Sequence, residues 1–139
     1  MGKISREASN SMIITLSFYK RLPGLTGEQF SDHWRNVHGP LLRDTPDSRR
    51  YLRRYIQHHI RPNTAFDADP LPFDGFSEVW YDNIEQRKEL FSLPVFKEVF
   101  IPDEEKFIDR SRTTVSMIDR QATIIGEHLA IGGETIRFF

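Results

Sequence analysis

Five histidines in a chain without cysteine mark the first place to look for proton transfer, because an imidazole ionises near neutrality without any help from its surroundings. Four of them fall in two short motifs. His33-Trp34-Arg35-Asn36-Val37-His38-Gly39-Pro40 carries two imidazoles five residues apart. Tyr55-Ile56-Gln57-His58-His59 places three polar-tipped side chains, Tyr55, Gln57 and His59, at alternate positions. A strand there turns that row to one face and sends His58 to the other with Ile56 and Ile60. The row is either a pocket wall, with His59 as general acid or base, or a hydrogen-bonded surface between subunits. His38 is the second candidate; near a helix end its imidazolium would also meet the negative pole of the helix dipole, a purely structural role. His33 shares an apolar stripe with Phe30 and Val37 and reads as a packed core or rim residue. Two carboxylates join the set. Asp74 precedes Gly75 and either shapes a turn or faces a site. Glu78 stands two residues before Trp80 in a strand pattern, where a carboxylate needs an Arg or His partner.

Other chemistries find less support. His33 and His38 diverge on a helix, unlike the i, i+4 pair of helical zinc sites, so no metal is expected. No phosphate-cradling glycine loop, dinucleotide fingerprint or Gly-x-Ser-x-Gly elbow is present, and the expected chemistry needs no cofactor. A formal net charge of -1 offers no field for a phosphate backbone, which argues against nucleic acid. No apolar run approaches the roughly 20 residues needed to span a bilayer, and residues 1–10 are polar, so no membrane association is expected and the cytoplasm is the expected location. At 139 residues the chain is sized for one core.

The elements that must position these groups can be read from periodicity and punctuation. Met12 to Lys20 reads as a strand, closed by a Pro23-Gly24 turn. Thr26 with Gln29 three residues later has capping-box spacing, and Phe30, His33, Trp34, Val37 and Leu41 predict a helix that Gly39-Pro40 should stop. A second strand is expected over Arg50 to Ile60, with Tyr51 on the face of Tyr55. Residues 61–75 form a long connection, either a lid or a surface loop. Phe76 to Tyr81 reads as a third strand, Asp82-Asn83 as a cap, and Pro94 to Phe100 as a helical stretch that Pro102 interrupts. Thr113 to Ile118 reads as a fourth strand and Thr123 to Ile131 as a fifth, before a Gly132-Gly133 turn. The order strand, helix, strand, strand, helix, strand predicts an α+β, ferredoxin-like split βαβ domain, an antiparallel four-stranded sheet with helices on one face. The other face needs cover, which a second copy would supply through a two-fold interface. The expected organisation is a flexible arm over 1–11, the α+β domain over 12–118, and an extension over 119–139 whose hairpin reinforces the dimer.

Phe18-Tyr19-Lys20-Arg21-Leu22-Pro23-Gly24-Leu25-Thr26, Phe30, His33-Trp34, His38-Gly39-Pro40-Leu41, Arg54-Tyr55-Ile56-Gln57-His58-His59, Phe73-Asp74-Gly75 and Asp103-Glu104-Glu105-Lys106-Phe107-Ile108-Asp109 together resemble the EthD-domain proteins. Those belong to the dimeric α+β barrel superfamily. The resemblance implies a homodimeric barrel and, through fungal members similar to decarboxylases of atrochrysone carboxylic acid-type precursors, a cofactor-free lyase of a secondary-metabolite pathway. Related barrels act as polyketide cyclases or cofactor-independent oxygenases, or bind hydrophobic metabolites. By motif, His38 and His59 match the family's histidines, and Asp74 and Asp103 its acidic positions. The expected site therefore has His59, His38 and Asp74 as catalytic groups. Tyr55, Gln57, His58, Trp34, Glu78, Trp80, Phe73 and Asp103 would contact a small hydrophobic aromatic polyketide acid.

Overall fold

The computed structural model describes residues 12–62 and 65–126. Four strands, β1 (Ile13–Tyr19), β2 (Leu52–His59), β3 (Gly75–Tyr81) and β4 (Thr114–Ile118), form one sheet in the order β2-β3-β1-β4, with every pair antiparallel. Helical segments fill both crossovers, which gives the ferredoxin-like arrangement. Between β1 and β2 lie α1 (Gly27–His33), a π-helical turn (Trp34–His38), α2 (Gly39–Asp44) and α3 (Pro46–Tyr51). Between β3 and β4 lie α4 (Ile84–Ser92), a second π-helical turn (Phe96–Phe100), α5 (Ile101–Glu104) and a 3-10 turn (Arg110–Arg112). No helix among the described residues is long and apolar enough to cross a membrane.

The start signals hold. Thr26 and Gln29 form a reciprocal capping box, and Asn83 accepts from the Gln86 amide. The stop signal at Gly39-Pro40 does not. Gly39 keeps right-handed helical angles and the chain stays helical to Asp44. Proline is tolerated because the turn before it is widened: the Gly39 amide bonds to the Trp34 carbonyl five residues back, so the pyrrolidine ring does not meet a tight α-turn. The same device lies before Pro102, where the Ile101 amide reaches the Phe96 carbonyl, and Pro102 interrupts nothing.

The wide turn also corrects the expected stripe. Val37 is largely exposed, and the buried positions are Phe30, Trp34, His38 and Leu42, a repeat of four. An ideal α-helix would drift by about 40° over each four-residue step, and a π-turn absorbs the excess. A further correction concerns Tyr51, which closes α3 and is buried in the core instead of starting the strand. Pro46 opens α3 at a first-turn position, with Thr45 extended before it, a signal that the strand-like run from Arg50 masked.

Two groups of apolar side chains lie between helices and sheet. One is Leu42, Tyr51, Leu52, Val79, Tyr81, Leu90 and Phe100; the other is Phe30, Trp34, Phe107 and Ile108. Gly75 lets the indole pack onto the sheet, since a Cβ there would stand 2.5 Å from the Trp34 ring. The opposite sheet face carries Phe18, Phe76 and His58 in a stacked row, with centroids 5.0 and 4.3 Å apart. Residues 123–126 form no strand. The rest of the expected fifth strand and hairpin, and the arm over 1–11, lie outside the described residues.

Candidate functional site

The two π-turns aim their downstream residues at each other. His38 ends the first; Asp103 and Glu104 follow the second. Asp103, itself buried, accepts from His38 Nδ1 at 2.8 Å and from His33 Nε2 at 3.1 Å, and both imidazoles lean on the fully buried Phe107 ring. With Nδ1 held by the carboxylate, Nε2 is the His38 nitrogen left for a ligand. Burial pushes the His38 pKa below the usual histidine value, and this outweighs the opposing pull of Asp103, so the ring is neutral near pH 7.

His38 borders a cavity between helices and sheet. This cavity measures about 70 Å³ and is partly open to solvent. Phe91, Phe96 and Phe100 supply apolar wall, whereas Tyr19, Tyr55, Tyr81, Ser17 and Ser77 present hydroxyls. The Tyr19 and Ser77 hydroxyls lie 3.2 Å apart. Burial raises the Tyr19 pKa to about 12, which keeps the phenol a donor at neutral pH. Glu104 lines the same cavity, and its pKa rises to about 7, chiefly through burial; Arg110, 3.6 Å away, pulls the other way. A neutral base and a carboxylic acid that still holds its proton near neutrality thus face one apolar space.

The expected site residues divide among three places. His38, Asp103 and Tyr55 belong to the cavity. His59 and Asp74 line an outer cleft of about 450 Å³ with Arg21 and Ser31. Asp74 is tied to Arg21, accepting from its backbone amide at 2.9 Å and its guanidinium at 2.6 Å. His59 accepts from the Ser31 hydroxyl and rests on the Trp34 ring. Gln57 joins the two places: its carbonyl accepts from His59 Nε2 at 2.8 Å, and its amide donates to the Trp34 carbonyl at 2.8 Å and to Tyr55 Oη at 3.1 Å. Trp34 is buried beneath this chain and supports it. His58, Glu78, Trp80 and Phe73 belong to the other sheet face. Glu78 accepts from the Trp80 indole at 2.7 Å, with His58 Nε2 3.5 Å away, and Phe73 packs on Phe18.

Sequence reasoning passed over Glu104, Tyr19, Tyr81, Ser77 and Arg87, all of which line the cavity. A signal for the strand residues existed: Ser17-x-Tyr19, Tyr55-x-Gln57 and Ser77 put polar tips at period two on adjacent strands. Glu104 was legible only once Pro102 is seen not to end the helix. Among the described residues no group of three or more ligating side chains is arranged to hold a metal.

Residues 22–111 match the EthD domain model. The chain is similar to a decarboxylase of Claviceps purpurea, 29% identical over 125 residues that cover 84% of this chain and 88% of that protein. Among solved structures it resembles an EthD family protein of Bacillus halodurans, with a TM-score of 0.58 and 21% identity over 79% of this chain and 99% of that one. It also resembles a dimeric protein of ferredoxin-like fold from Bacteroides fragilis, with a TM-score of 0.57 and 10% identity over 77% and 94% of the two chains. With the family model spanning both π-turns, the buried His38–Asp103 pair and two of the four strands, the chain belongs to the EthD domain family.

Proposed function

We propose that this chain is a cofactor-free lyase that decarboxylates an aromatic polyketide carboxylic acid in the cavity between helices and sheet. The observation that carries this reading is the pair on that cavity, His38 with its Nδ1 held by Asp103 at 2.8 Å and Glu104, both lining one space with phenylalanines and tyrosine hydroxyls. When the bond to the carboxylate breaks, its electron pair moves through the ring onto the neighbouring β-oxygen and carbon dioxide leaves. Glu104 then delivers its proton to the carbon and is reprotonated from solvent. The cavity tyrosines donate hydrogen bonds to the oxygen that gains charge, and the phenylalanines keep water from the reacting end. When loss of water completes aromatisation, His38 Nε2 takes the proton from carbon and gives it to the departing hydroxyl, which leaves as water. The cavity takes the reacting end of such a ligand, and the remaining rings extend through its open side.

His59 and Gln57 act in this scheme through Tyr55 and the Trp34 carbonyl, as positioning residues. Asp74 fixes the rim through Arg21. A second copy of the chain covers the face of Phe18, Phe76 and Trp80; the dimeric Bacteroides fragilis protein and the aromatic row on the side of the sheet away from the helices support that arrangement. The test is product mass after incubation with a polyketide β-keto acid without added metal or flavin. Loss of the mass of carbon dioxide is expected, falling by about a hundredfold or more in rate for His38→Ala and by less for His59→Ala. Unchanged turnover in His38→Ala would remove the cavity from the mechanism.

A further inference from the structure

We infer that Arg87 is the anion anchor of the cavity and selects acids whose carboxylate lies beside an oxygen on the neighbouring carbon. This rests on the cavity being the reactive site. Arg87 comes from the second turn of α4 and lines the cavity. Several arginines of the fold have carboxylates: Arg21 holds Asp74, Arg53 holds Asp82, Arg110 faces Glu104 and Arg112 holds Asp109. Among the described residues, none stands within ion-pair distance of Arg87. Its Nε is buried without a hydrogen-bond partner, its Cζ stands over Phe91, 4.2 Å from the ring centroid, and its guanidinium donates to the Tyr81 hydroxyl.

A guanidinium cannot shed its proton, so a half-buried one against an apolar cavity calls for an anion. Contact with Phe91 and the Tyr81 hydroxyl holds the guanidinium in place, and its remaining N–H groups are left for the ligand. The other polar groups of the cavity fit a single negative charge on the ligand: His38 is neutral, Asp103 is already shared between two imidazoles, and the phenols are donors. A fork of two parallel N–H bonds suits two oxygens side by side, and a β-keto or ortho-hydroxy acid presents that pair as one carboxylate oxygen and one β-oxygen. During decarboxylation the charge moves from the first to the second. The fork contacts both, so the anchor keeps hold of the anion as carbon dioxide departs.

Calorimetric titration of the full chain at pH 7 with three ligands tests this: 1-hydroxy-2-naphthoate, its methyl ester and 1-naphthol. The wild-type chain should bind the acid about tenfold to a hundredfold more tightly than the ester or the naphthol. Arg87→Met should abolish that preference by weakening the acid alone, and Arg87→Lys should restore part of it. The inference fails if the wild-type chain does not bind the acid, if it shows no preference over the ester, or if Arg87→Met leaves the preference intact or weakens all three ligands equally. The ester comparison decides the matter without any variant, should Arg87→Met not fold. Acid binding through Arg87 with no carbon dioxide released from polyketide acids would overturn the decarboxylase reading and leave the anchor standing; turnover with an unchanged preference in Arg87→Met would do the reverse.

Discussion

Burial acts on the two ionisable groups of the cavity in the same sense, disfavouring charge on each, and because one is a base and the other an acid their pKa values move in opposite directions. Glu104 is faced by Arg110, which favours its ionised form, and by Asp103 and Glu105, which oppose it. Through Glu104 the folded state therefore binds a proton more tightly than the unfolded chain between the ordinary carboxyl value of 4.5 and about 7. The stability this group contributes should fall as pH rises across that window and level off above it, by on the order of 3 kcal/mol in all. Glu104→Gln should flatten this slope in thermal melts and make the variant more stable than the parent at pH 8. A parental slope retained in the variant would place the titration elsewhere. Turnover should need Glu104 protonated and decline above about pH 7, with its acidic limb set by His38 below the usual histidine range.

Elements matter here through how closely they approach one another. Gly75 opens β3 where the Trp34 indole crosses the sheet, and a methyl group would stand 2.5 Å from that ring and 2.9 Å from the His58 carbonyl. Neither neighbour can give way, one being wedged in the core and the other backbone. Gly75→Ala should therefore cost about 1–3 kcal/mol in denaturant unfolding, whereas Gly27→Ala, whose nearest neighbour is 4.0 Å away at a side-chain tip, should cost nothing measurable. Equal stability for the two would mean that Trp34 is free to shift. Any shift would also reach the site, because the Trp34 carbonyl receives both the Gly39 amide of the π-turn and the Gln57 side chain.

At the scale of the molecule, the helices cover one side of the sheet and leave Ile14, Leu16, Phe18, Ile56, Phe76 and Trp80 on the other, an apolar surface broken by the Glu78–Trp80 hydrogen bond. Such a face calls for a partner of the same shape, and a two-fold axis lets it meet itself. Sedimentation should show a dimer for the parent chain and a monomer for Phe76→Glu, which puts a charge between the His58 and Phe18 rings. A monomeric parent chain would end the proposal of a covered sheet.

Element order, the caps at Thr26 and Asn83, and the opposite orientation of His58 and His59 were legible in the sequence, because each follows from rules acting over a few neighbouring residues. The four-residue repeat through Phe30, Trp34, His38 and Leu42 was written there too, yet its meaning depended on a widened turn that proline alone does not announce. Which histidine shares a buried carboxylate was decided only by folding: Asp103 lies 70 residues from His33 and 65 from His38, and no local preference links them. The cavity and the shifted ionisation of Glu104 and His38 belong to the tertiary structure for the same reason. Desolvation is set by what packs around a group, and here that packing comes from strands and helices distant along the chain.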